Sequence, residues 1–77
     1  MTHTLADEVR SRRALPPPSM ARAIRESAGV TQSRLAAEIG VTRATVARWE
    51  AAIRHPRGKH RERYAAALRD LQEALAP

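Results

Sequence analysis

The stretch Thr31–Glu50, TQSRLAAEIGVTRATVARWE, decides how the rest of the chain is read. Leu35, Ala36 and Ile39 stand at i, i+1 and i+4, which lays them along one narrow apolar face of a helix about two turns long. Val46 and Trp49 repeat that arrangement further along. Between the two patterns Gly40 can take the left-handed conformation that ends a helix, apolar Val41 follows, and Thr42 is a good N-cap for the second helix. Thr31 caps the first in the same way. Helices this short, joined by three or four residues, cross steeply instead of folding back as a hairpin, and that is a helix-turn-helix.

A helical wheel of the second helix, read as residues 42–53, puts Val46, Trp49 and Ile53 on one side and Arg43, Ala44, Ala47 and Arg48 on the other. The outward side is slim, basic and without carboxylates. It fits a DNA major groove, roughly 12 Å wide, where the guanine edge offers two acceptors to a guanidinium fork. Trp49 shares its face with Val46, so core packing is the reading preferred over stacking on a base. Arg43 and Arg48 have two uses open to them, base edges or phosphate alone.

The 77 residues are read as one domain, and a chain this size buries only about 60% of its unfolded surface. Trp49 and Tyr64 are the two aromatic residues, and alanines are many, so helices packing closely on small side chains are expected. No stretch alternates with the period of a strand. The fold class is therefore all-α. The absence of cysteine excludes disulfides and thiolate metal sites and suits a reducing cytosol. Neither a signal peptide nor a spanning segment is evident, so the expected location is cytoplasmic, on the nucleoid.

Fourteen basic against eight acidic residues leave a net charge of +6, and its location says more than its size. Residues 19–63 carry ten basic and four acidic side chains, while the two flanks cancel at +1 and −1. The whole excess lies on the helix-turn-helix and the loop after it, as expected of a polyanion-binding surface. All the basic residues but Lys59 are arginine, which forks onto phosphate or guanine in a way lysine does not. Arginine and alanine enrichment also follows from GC-rich coding, so composition carries little weight alone.

Before the central stretch, Thr4–Ala14 shows Leu5 and Val9 at i, i+4, with acids early and arginines late, as a helix dipole favours. This segment, residues 1–15, is either an extra packed helix or an arm; Arg12 and Arg13 invite comparison with minor-groove arms, but a solvated helix end is the preferred reading. The prolines at 16–18 are a stiff spacer. Residues 19–77 then form the main domain. Met20, Ala23, Ile24 and Ala28 supply the inward face of its first helix, which Gly29 ends. After Glu50 comes the basic run AAIRHPRGKHRER, in which Arg54, Arg57, Lys59 and Arg61 are placed to meet phosphates flanking the groove. His55 and His60 lack the spacing of a zinc site and read as surface residues; no metal or other cofactor is expected. The last helix is read as Arg61–Leu75, with Tyr64, Leu68, Leu71 and Leu75 on one stripe.

Arg25, Gly29-Val30-Thr31-Gln32, Leu35-Ala36, Gly40-Val41-Thr42, Val46, Trp49-Glu50, Arg54 and Pro56 together resemble the XRE family, the Cro and phage-repressor type of helix-turn-helix regulator. The resemblance spans about Arg22 to Leu68 and rests on glycine, capping and apolar positions agreeing together. It implies a small helical bundle with a lambda-repressor-like helix-turn-helix, here with an N-terminal extra helix and a long C-terminal one. It implies that Arg25 pairs with Glu50 and that Gln32 grips the DNA backbone, with Thr31 and Thr42 in the same phosphate set as Arg54, Arg57 and Lys59. It sets Arg43, Ala44, Ala47 and Arg48 at the base-reading positions. Ala44 and Ala47 stand where relatives often carry longer polar residues, so readout leans on the two arginines. The expected core is Ile24, Leu35, Ala36, Ile39, Val41, Val46, Trp49, Tyr64 and Leu68. Three departures mark the following loop. Ala52 stands where the family has a helix-ending glycine, and Gly58 and Arg61 replace apolar residues, so the second helix is expected to run longer and the last to start later.

The function expected is a sequence-specific, double-stranded DNA-binding transcriptional regulator, a repressor. Relatives bind paired half-sites as twofold dimers, which implies a homodimer through the Leu71–Leu75 end, although a core stripe is the default reading of that spacing. The alternative is an antitoxin-like module whose N-terminal segment docks a protein partner. Membrane anchoring is not expected, because the apolar faces are narrow and broken by glycine and proline. An enzyme is not expected either, since no paired carboxylates, phosphate-cradling glycine loop or triad partners for the histidines are present.

Overall fold

The computed structural model describes residues 4–6 and 15–77. Its helices are α1 (Pro18–Ser27), α2 (Gln32–Ile39), α3 (Arg43–Glu50) and α4 (Gly58–Leu75), and no strand occurs among the described residues. The domain is all-α, as composition and periodicity require. Leu5 and Ala6 are helical and Leu5 is exposed, but the rest of the expected N-terminal helix, with Val9, Arg12 and Arg13, lies outside the described residues.

Local chemistry sets the helix limits. Pro18 opens α1, at a position where the missing amide costs no hydrogen bond. Thr31 and Thr42 cap α2 and α3, their hydroxyls accepting from the Arg34 amide at 3.0 Å and the Thr45 amide at 3.2 Å. At the end of α2 Gly40 takes φ 89°, and the Val41 amide turns back to the Ala36 carbonyl at 3.0 Å. Gly40, Val41 and Thr42 are all that separates α2 from α3.

Ala21, Ile24, Leu35, Ala36, Ile39, Val46, Trp49, Tyr64 and Leu68 form one buried cluster, with Leu15, Val30, Val41, Ala67 and Leu71 packed against it. All four helices contribute to it. The Trp49 and Tyr64 rings lie 4.8 Å apart, tilted by 33°, which fastens α3 to α4. The Tyr64 hydroxyl is buried without a hydrogen-bond partner among the described residues, and burial pushes its pKa up to about 12.

Four boundaries and faces differ from the sequence expectations. First, α3 stops at Glu50 and does not run to 53: the Ala52 amide bonds to the Trp49 carbonyl at 3.2 Å and the Ile53 amide to the Arg48 carbonyl at 2.9 Å. This is the hydrogen-bond pattern of a glycine-ended helix, made by an alanine held at φ 60°. Ile53, expected beside Trp49, is consequently turned out and 72% exposed. Second, α4 begins at Gly58, three residues before the expected start at Arg61. Third, the inward face of α1 is Ala21, Ile24 and Arg25, with Met20 and Ala23 exposed. The buried Arg25 turns the helix by about one residue relative to the apolar count. Fourth, Val41 is half-buried at the edge of the cluster and not inside it.

Candidate nucleic-acid interface

Because Val46 and Trp49 anchor α3 in the core, its opposite side is presented outward. Arg43, Ala44 and Arg48 are exposed there and Ala47 is half-buried. No carboxylate interrupts this face; the one acidic residue of α3, Glu50, turns inward.

Glu50 is the centre of a network joining three parts of the chain. Arg25 of α1 donates from Nε to Glu50 Oε2 at 2.7 Å and from Nη2 to Oε1 at 2.9 Å, a forked contact that fixes orientation as well as distance. Its third nitrogen, Nη1, donates to the Val30 carbonyl at 2.9 Å. Gln32, first residue of α2, donates from Nε2 to Glu50 Oε1 at 3.1 Å. The Arg25 and Glu50 side chains are only 10% and 3% exposed. Burial alone would raise the Glu50 carboxyl pKa, but the hydrogen bonds from Arg25 and Gln32 and the nearby positive charge outweigh it and hold the group below the usual carboxylate range. The same contact with Glu50 raises the Arg25 guanidinium against the opposing effect of burial. The end of α3 is thus locked at a set angle to α1 and to the start of α2.

Two basic hollows flank α3. One lies toward the start of α2, where Arg43 shares a shallow groove with Arg22, Arg25, Glu26, Thr31, Gln32 and Ser33. The other, about 530 Å³, lies between the end of α3 and the start of α4 and is lined by Thr45, Arg48, Trp49, Ile53, Arg54, His55, Pro56, Arg57 and His60. The structure therefore brings Arg43 together with Thr31 and Gln32, and Arg48 together with Arg54 and Arg57. Lys59 is exposed but lines neither hollow. The Thr31 and Thr42 hydroxyls are engaged in capping, Thr42 also lying 2.9 Å from the Thr45 hydroxyl. The Gln32 amide nitrogen carries two hydrogens, so one remains for an acceptor beyond Glu50.

Nothing in the sequence singles out Arg22 or Thr45, and His55 and His60 read there as plain surface residues. Arg22 bonds Glu26 one turn on, at 2.5 Å on the exposed side of α1, and nothing in the sequence distinguishes it from the other arginines. The histidines belong to a run whose basic character was legible, but the concavity they share is a product of the α3–α4 packing.

Among the described residues no group of three or more potential metal ligands occurs, and no helix is long and apolar enough to cross a membrane. A helix-turn-helix family model matches residues 22–73, about two thirds of the chain. No curated protein and no solved structure gives a significant match. The matched range contains both capped helices, the glycine between them and the Arg25–Glu50 network, and on that ground the chain belongs to the Cro and phage-repressor type, or XRE, family of DNA-binding helix-turn-helix domains.

Proposed function

We propose that the protein is a sequence-specific transcriptional repressor that inserts α3 into the major groove of an operator and acts by occupying it. The observation that carries this reading is the outward face of α3: two exposed arginines one and a half turns apart, small side chains between them, and no carboxylate. Arg43 and Arg48 contact base edges, and Ala44 and Ala47 let the helix approach closely, with room against a thymine methyl. The start of α2, through Thr31 and Gln32, and the start of α3 at Thr42 hold one backbone; Arg54, Arg57 and Lys59 hold the other side of the groove.

The protein works as a homodimer through the end of α4, where Leu71 is half-buried and Leu75 is 46% exposed. A twofold dimer would read half-sites about one helical turn apart. The reading with a docked protein partner rests on the segment before the prolines, most of which lies outside the described residues.

Selection of bound duplexes from a random pool tests the proposal. A palindromic site with guanines in each half is expected. Recovery of unrelated sequences at modest salt would reduce the protein to a nonspecific DNA binder, and recovery of none would remove DNA as its ligand.

A further inference from the structure

The hollow between the end of α3 and the start of α4 holds a feature that groove reading does not use. Two of the chain's three histidines, His55 and His60, line it together. The charged groups around them are Arg48 from α3 and Arg54 and Arg57 from the connecting loop; among the described residues no carboxylate lines it. Glu62, the nearest acid along α4, is not part of the lining. Both histidines are solvent-exposed.

We propose that this hollow seats a backbone phosphodiester of duplex DNA and that His55 and His60 take up protons as it binds, so that affinity for DNA rises as pH falls. The inference rests on the DNA-binding reading above and extends it to regulation of the same surface. The physical chain is short. Histidine is the side chain whose ordinary titration falls between pH 5 and 8. An anion brought within a few ångström of an imidazole favours the charged form. The complex therefore binds more protons than the separate partners, and by linkage the association constant rises with falling pH, by at most about tenfold per pH unit for each proton taken up. Phosphodiesters stay ionised throughout, so the titrating partner is the protein. Arg54 and Arg57 keep the seat cationic at every pH.

Two properties follow that separate this device from a general loss of fold. Phosphate contacts carry no sequence information, so the pH effect must be equal on the selected operator and on a scrambled duplex. Each imidazolium that meets a phosphate also adds to the counterions released, so the slope of log affinity against log salt should steepen by about one per protonated histidine.

The test is duplex binding by the full chain at about pH 5.5 and about pH 8, each over a salt series, with helicity followed at both. The wild type is expected to bind at least about fivefold more tightly at the lower pH, with a steeper salt slope. In His55→Gln/His60→Gln the ratio of affinities between the two pH values and the difference in salt slope are both expected to vanish, while His3→Gln keeps them. A wild type that binds equally at both pH values, or a double variant that retains the response, overturns the proposal while leaving DNA binding intact. Absence of duplex binding at either pH, in folded protein, would overturn the DNA reading as well.

Discussion

At the residue scale Arg25 and Glu50 carry the most consequence. A buried ion pair does little for net stability compared with well-packed apolar groups, but stranding one member is costly. Arg25→Ala should therefore destabilise the domain by about 3–5 kcal/mol, a large part of what a chain of this size possesses. Arg25→Met combined with Glu50→Leu should cost clearly less, and denaturant unfolding of the three proteins makes the comparison. The sign of the acid response follows from the lowered Glu50 pKa. A carboxyl that is more acidic in the folded state stabilises it above its unfolded pKa of about 4.3, and that contribution disappears as pH falls through the folded value. Thermal melts below about pH 4.5 should show a steeper loss in the wild type than in Glu50→Gln, whose amide does not titrate. On the outward face, Arg43→Ala should cost about 1–3 kcal/mol on the best operator and flatten preference at one base pair. Equal weakening on all sequences would reassign Arg43 to phosphate.

At the element scale the end of α3 carries the sharpest departure from the family pattern. An alanine at Ala52 replaces the usual glycine, and the helix still ends there, at φ 60°. The left-handed region costs a residue with a side chain about 1–2 kcal/mol. Ala52→Gly should raise stability by up to about 1 kcal/mol, the relief of strain being partly offset by the greater freedom of glycine in the unfolded chain. An unchanged or lowered melting temperature would mean that the alanine is not strained. The same element shows why its limits are not legible in the sequence: propensity sees Ala51, Ala52 and Ile53 as helix formers, whereas the hydrogen bonds from Ala52 and Ile53 back to Trp49 and Arg48 are a tertiary choice.

At the scale of the whole molecule, α1 and α4 are the frame and α2 and α3 the part it presents. The frame leaves a small depression between α2 and α4, lined by Val30, Leu35, Ala67 and Leu71 together with the charged Arg34, Glu38 and Asp70, and Leu75, one turn beyond Leu71, stands exposed. If this end joins two copies, Leu71→Asp/Leu75→Asp should give a monomer by sedimentation and bind a full operator far more weakly, with its affinity for a half-site little changed. A monomeric wild type at operator-binding concentrations would remove the dimer from the proposal. Leu71 contributes to the core's edge as well, so Leu75→Asp alone serves as the milder variant.

What the amino-acid sequence determined by itself was whatever depends on neighbours along the chain. The two short apolar patterns, their threonine caps and Gly40 specify helix, turn and helix by local hydrogen bonding and backbone freedom, and the cluster of arginines specifies a surface for a polyanion. The Arg25–Glu50 pair was reachable only through resemblance, because no periodicity relates residues 25 apart. Tertiary structure alone decided which face of α1 is inward, that α3 stops at Glu50, that Ile53 is turned out, and that His55 and His60 share a hollow with Arg48. These depend on which of several near-equal local conformations the packed core rewards, and in an alanine-rich chain, where many faces are equally apolar, that selection is made by contacts between helices.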